Sequence, residues 1–195
     1  MKLSPRQFEI IEAAGKLLSS GGISNLTTKN LALEMKFSEA ALYRHFKNKN
    51  EIIIAMLNYL ASHMDSRIED ILKENVCSIS KLELLFNDQF KFFSENRHFL
   101  VTIFSDGLWE NNTEIHNAVK GVMAVKKKHL NLIFSEGISN NQFTSKINKE
   151  GLIHISMGAF RLHLLKWKMD NYEFNLKKTG EKISSDLIGL IKKQS

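Results

Sequence analysis

Apolar residues along this chain recur at helical rather than strand spacing. Phe8, Ile11, Ala14 and Leu18 share one helical face, and the preceding Ser4-Pro5-Arg6-Gln7 reads as a capping box with proline at the first helical position. Gly21-Gly22 is expected to stop that helix. Thr27 can cap a short helix through about residue 35, and Ser38 a second one through about residue 45. Asn48 and Glu51 then offer a cap and an acid for a long helix over about 50–74, striped by Ile53, Met56, Leu57, Leu60, Met64 and Ile68.

The pattern continues downstream. Ser80 and Glu83 form a plausible capping box before LLFNDQFKFF, and a break at Ser94-Glu95-Asn96 precedes HFLVTIF. Gly107 and Asn111-Asn112 mark a further boundary. Helices are expected over about 113–135, ended by Gly137, then over 149–170 and 179–193. With one proline, Pro5, and little β-branched alternation, the reading is all-α. Three short N-terminal helices, spanning residues 1–49, are joined through a long fourth helix to a helical bundle within 50–195.

Composition narrows the class. At 43% hydrophobic and 25% charged the chain is ordinary globular protein, long enough to bury a core without cross-links. Cys77 is the single cysteine, so no intrachain disulfide can form, in keeping with a reducing compartment. No apolar run approaches the ~18 residues of a membrane span. Glu9 and Glu12 sit where a signal peptide would be apolar. A cytoplasmic protein that does not engage membrane is expected. Residues 1–50 hold eight basic and four acidic groups, against 19 and 17 in the rest. A basic end on a nearly neutral body points to an anionic partner for that end.

The chemistry of that end lies in SEAALYRHFKNKNE, residues 38–51. Two short helices separated by a turn near Met35-Lys36-Phe37 have helix-turn-helix spacing. Leu31, Met35, Phe37, Leu42 and Phe46 can hold the pair against the first helix, which leaves Glu39, Ala40, Ala41, Tyr43, Arg44 and His45 facing outward. Small alanines allow close approach to base edges, and Tyr43, Lys47 and Lys49 have tips suited to phosphate oxygens. Any small helical hairpin has similar periodicity, so spacing alone leaves the assignment to DNA open.

The run from Phe8 to Leu60 closely resembles the DNA-binding domain of the TetR family of transcriptional regulators. Ile11-Glu12-Ala13-Ala14, Gly22 to Thr28, Leu31-Ala32 and, most specifically, Ser38 to Lys49 carry the likeness. The resemblance implies that Thr28 and Lys29 contact backbone or groove, and that Glu39, Ala40 and Ala41 face base edges. Tyr43 and His45 would contact phosphates, Arg44 base or phosphate, and Lys49 a phosphate at the positive end of the fourth helix. One position departs from the family. Lys36 stands where a turn glycine is usual, and a lysine there at positive φ costs about 1 kcal/mol.

Elsewhere the signals are weaker. Phe86, Phe90, Phe92, Phe93, Phe99, Phe104 and Trp109 fit an ordinary bundle core and also an aromatic-lined cavity. The resemblance implies a ligand cavity in this region, for which Phe90, Phe93, Phe104, Met123 and Trp167 are the candidate lining residues. His116, His129, His154 and His163 lack metal-ligand spacing, and no nucleophile elbow, phosphate loop or glycine fingerprint is present, so neither metal nor cofactor nor catalysis is expected. Lys126-Lys127-Lys128 reads as a charge run on a solvated face or as a second anionic site. Residues 152–169 are apolar nearly all round and need cover on more than one side. The resemblance implies that the last two long helices pair with those of a second subunit, so that a homodimer reads a palindromic operator on double-stranded DNA. The expected function is transcriptional regulation, as a repressor released by a small hydrophobic effector. The alternative is a DNA-bound chromosomal marker for a protein partner.

Overall fold

The computed structural model of the protein describes residues 3–104, 108 and 112–193. Among them are nine helices: α1 (Pro5–Asn25), α2 (Thr28–Glu34), α3 (Glu39–Tyr43), α4 (Lys49–Lys73), α5 (Ser78–Glu95), α6 (His98–Ile103), α7 (Thr113–Ser139), α8 (Lys149–Met169) and α9 (Leu176–Ile191). The fold is all-α, with a single isolated bridge between Phe143 and Lys192 among the described residues. Of the boundary expected between the sixth and seventh helices, Gly107 and Asn111 lie outside the described residues, as does Trp109. Asn112 is described, and its side chain accepts the Ile115 amide at 2.9 Å.

The helix starts follow local chemistry. Ser4 and Gln7 bond reciprocally, completing the capping box with Pro5 in the first turn. Thr27 caps α2 through the Asn30 amide, and Ser38 caps α3 through that of Ala41. The Asn48 side chain accepts the Glu51 amide at 3.0 Å while the Glu51 carboxylate accepts the Lys47 amide at 2.8 Å.

Four ends differ from expectation. Gly21-Gly22 breaks α1 rather than ending it: both leave helical geometry, and one more turn follows to Asn25. The Asn25 side chain ties that turn back to the Leu17 carbonyl. Helix α5 begins at Ser78, before the expected Ser80-Glu83 box, because the Lys81 amide already bonds the Cys77 carbonyl. Gly137 lies inside α7, where a side chain would collide with the Phe143 ring. Helix α9 starts at Leu176 because Asn175 caps it through the Lys178 amide.

The turn between α2 and α3 holds Lys36 at φ 55°, the left-handed conformation the family resemblance implied. The Phe37 amide closes the turn on the Ala32 carbonyl at 2.8 Å.

The chain forms two compact units that do not follow chain order. One comprises Met1–Ser62 and Asn96–Val122. In it α2 and α6 pack on α1 and α3 on α2, with Ile10, Leu18, Leu31, Leu42 and Phe46 in the core. Gly15 lets the His98 ring close on α1, since a Cβ there would come within 2.9 Å of it. Tyr59 carries ring contacts to Phe8 and Phe99. The other unit comprises His63–Glu95 and Met123–Ser195. Its core centres on Phe160, whose ring meets Phe86, Phe90 and Phe93 at 6.0, 4.9 and 6.1 Å between centroids. Helices α5 and α9 pack closely because Gly180 has no side chain to meet Phe90. No described helix is long and apolar enough to cross a membrane.

Two stability effects follow. Lys36→Gly relieves ~1–2 kcal/mol of left-handed strain while adding up to ~1 kcal/mol of unfolded-chain entropy. A gain of about 0.5–1 kcal/mol in urea unfolding is expected, and a loss would mean that the Lys36 side chain does more than occupy the turn. Burial lowers the His98 pKa from 6.5 to about 4. The folded state therefore favours neutral imidazole, so this contribution is whole above pH 6.5 and is lost as pH falls toward about 4, where the unfolded chain binds the proton first. Melting curves across that window should show a shallower acid decline for His98→Leu than for wild type.

Candidate nucleic-acid interface

Helix α3 has only five residues, and its orientation is set by what it buries. Leu42 and, just beyond the helix, Phe46 are in the core at 1% and 4% exposure. With those two side chains inward, the intervening positions turn out: Glu39, Ala40, Tyr43 and Arg44 are exposed, and Ala41 and His45 half-buried. Lys29 is exposed on α2, and Thr28 and Lys49 are half-buried in the first turns of α2 and α4. All nine residues expected to meet DNA thus belong to one unit, on or beside the α2–α3 pair.

Three contacts hold this surface in shape. The Thr28 hydroxyl donates to the Glu39 carboxylate at 2.9 Å and so links the first turns of α2 and α3. The Gln7 amide reaches the His45 carbonyl at 3.4 Å, tying the start of α1 to the end of the recognition segment. The Arg6 guanidinium lies 4.7 Å from the Phe37 ring centre, over the turn, and is also paired with Glu9. Sequence spacing gave no sign of the Thr28–Glu39 bond, because it joins residues eleven apart on separate helices.

The charge of the surface is unspent. Lys16 pairs with Glu34 at 3.6 Å, but Lys29, Lys36, Arg44, Lys47 and Lys49 make no ion pair among the described residues. Glu39 is the acid of this face, and its carboxylate is engaged by Thr28. Five free cations and exposed tyrosine and alanine side chains provide phosphate partners and room for base edges. The first amides of α4 add the positive end of a long helix beside Lys49.

The candidate effector residues are more scattered. Phe90, Phe93 and Trp167 are buried in the second unit, where the first two touch Phe160. Trp167 is committed to its own neighbourhood: its indole nitrogen donates to the Phe174 carbonyl at 2.9 Å, and its ring meets Tyr172 edge-on. Met123 is 44% exposed, and Phe104 is half-buried in the first unit. A groove of about 370 Å³ in the second unit is lined by Ile71, Leu84, Asn87, Asp88, Lys91, Lys177 and Glu181. That volume falls at the lower end of ligand-sized sites.

The charge run at 126–128 is divided by the fold. Lys127 and Lys128 are bridged at the surface, whereas Lys126 is buried. The burial is legible in hindsight: Lys126 continues the stripe of Ile115, Val119 and Val122 that runs on to Ile133.

Known proteins give this geometry a context. The model for bacterial regulatory proteins of the tetR family matches residues 10–56, and that for the C-terminal region of YsiA-like proteins matches residues 56–189. The fatty acid metabolism regulator protein of Bacillus subtilis (strain 168) is 21% identical over 172 residues, 88% of each chain. The nucleoid occlusion factor SlmA of Vibrio vulnificus (strain YJ016) is 36% identical over 85 residues, only 43% of either chain. Among solved structures, the transcriptional regulator FadR from Bacillus subtilis in complex with stearoyl-CoA shares the fold. Its TM-score is 0.82 at 20% identity, over 93% of this chain and 97% of that one.

Proposed function

The chain belongs to the TetR family of bacterial regulatory proteins and is a DNA-binding transcriptional regulator; from that premise we propose that it is a homodimeric, cytoplasmic repressor released from a palindromic operator by an apolar-bodied small molecule. The observation that carries the DNA reading is the division of residues 39–46, with Leu42 and Phe46 buried and the polar side chains presented beside five unpaired cations. Residues 1–49 take the DNA-binding role and 50–195 the effector and dimer roles. Ala40 and Ala41 approach base edges, and Glu39, oriented by Thr28, accepts from an exocyclic amine. Tyr43, His45, Lys29 and Lys49 hold phosphates, and Arg44 reaches either phosphate or base.

An outward apolar stripe supports the dimer reading. On α8, Ile155, Leu162 and Met169 recur every seven residues, with Leu162 59% and Met169 71% exposed. Nothing stands over Gly158 between them, which leaves room for a second helix. On α9, Leu190 is 77% exposed. Single exposed leucines are ordinary, but an aligned series is the kind of face a subunit contact covers.

The effector reading rests on the aromatic core around Phe160, on a separate groove of ligand size in the same unit, and on a relative in complex with stearoyl-CoA. Helix α4 carries Lys49 in its first turn and Arg67 near its far end, so a small displacement of this helix would change the spacing of two recognition segments in a dimer. The ligand must favour the released state by only a few kcal/mol. We assign no catalytic residue.

Fluorescence anisotropy with the gene's own upstream DNA tests this reading. Affinity should fall with salt, and Arg44→Ala should weaken binding about tenfold or more and lower the salt slope by about one. No sequence-preferring, salt-sensitive binding would remove the proposal. The partial match to SlmA favours a second reading as a chromosomal marker. Mapping of binding sites separates the two: clusters at promoters support the repressor, sites spread along the chromosome the marker. In sedimentation, Leu162→Glu should convert the dimer to a helical monomer, and an unchanged dimer would place the interface elsewhere.

A further inference from the structure

The three lysines of the run on α7 have different surroundings. Lys127 pairs with Glu150 at 2.6 Å, and Lys128 with Asp65 at 2.9 Å. Lys126 is 8% exposed, and its ammonium stands 3.0 Å from the centre of the Phe160 ring. It makes no ion pair or hydrogen bond among the described residues. Asp88 attracts it through space, yet both Asp88 oxygens accept from Arg67 Nε at 3.1 Å and one from the Gln89 amide at 3.1 Å. Asp65 is shared between Lys128 and His129, the latter at 2.6 Å. Both aspartates of this region are therefore engaged, and Lys126 has the ring face as its contact.

A cation–π contact offsets only part of what it costs to bury an ammonium. Burial accordingly drives the Lys126 pKa well below the ordinary lysine range, with Asp88 opposing. Gln89 Oε1, Ser156 Oγ and His129 Nδ1 are among the buried polar atoms without a protein partner in the described residues. Helical register brings them toward the same ring. Gln89 lies between Phe86 and Phe93 on α5, Ser156 one turn before Phe160 on α8, and His129 one turn beyond Lys126 on α7. Packed interiors pair nearly all such groups. Here a lysine with three donors, a hydroxyl and two acceptors are held by three helices beside an aromatic wall.

We propose that Lys126 receives the carboxylate of the effector, which is therefore a free carboxylic acid on an apolar chain, its head on the Lys126 ammonium and the Ser156 hydroxyl and its chain against Phe86, Phe90, Phe93 and Phe160. The inference rests on the effector reading above and narrows it. One ammonium matches one negative charge. A thioester or an alcohol brings none, and a phosphate head brings more charge and bulk than the site can balance.

Calorimetry and thermal shift on the full chain test it with dodecanoate, dodecanol and dodecanoyl-CoA as probes. Dodecanoate should bind wild type at least about tenfold more tightly than dodecanol, the usual weight of a charged hydrogen bond. Lys126→Met, an apolar replacement of similar length, should erase that difference. The free variant should melt no lower than wild type, because a buried cation lacking an anion is not kept for stability. A lower melting temperature would make Lys126 structural and overturn the inference. Tight binding of dodecanoyl-CoA alone, or carboxylate preference that survives in Lys126→Met, would overturn it and leave the effector reading standing. No binding of any probe would remove the acyl effector reading and this inference together.

Discussion

The burial of Leu42 and Phe46 is the contact on which the presentation of the proposed DNA-facing surface depends. A five-residue helix cannot hold its orientation by its own hydrogen bonds, since it has scarcely closed its first turn. Two large side chains four positions apart, both in the core, fix its rotation about its axis. Everything at 39–45 then points where the geometry leaves it, and the Thr28–Glu39 and Gln7–His45 bonds fix the position of the segment against α2 and α1. The polar residues proposed for recognition are thus positioned by apolar neighbours in the core.

The second unit works by a different balance. Its centre is aromatic, with Gly180 admitting Phe90 and Phe160 gathering three phenylalanines. Into this low-dielectric surrounding the chain also places Lys126, Gln89, His129 and Ser156. Arg67 and Asp88 neutralise one another there, Arg67 covering Phe92 at 4.2 Å from the ring centre. Replacing such polar groups by apolar ones of similar volume often leaves stability unchanged or raised. Their presence in a core that could have been wholly apolar is what directs attention from packing to ligand recognition.

Much of this was legible in the sequence, for local reasons. Ser4, Thr27, Ser38 and Asn48 cap where their side chains reach amides two or three residues on, and that reach needs no tertiary information. The inward stripe through Leu31, Leu42 and Phe46 follows from helical period alone. Lys36 at positive φ was implied by the turn glycine usual in the family, not by the local sequence itself. Later helix ends were less legible, because Cys77, Gly137 and Asn175 act through distant rings or through caps hidden among polar neighbours.

The chain's local chemistry therefore determined its helices, its helix-turn-helix and the face that module presents, since caps, period and turn strain are short-range. Tertiary structure decided which charges are spent and which are free. Lys126, Lys127 and Lys128 are identical in composition and adjacent in the chain, yet one is buried on a ring and two are bridged in solvent. Residues three apart turn to opposite sides of a bundle or to the same one only when the neighbouring helices are in place. Burial, unlike helicity, is a property of what those neighbours cover.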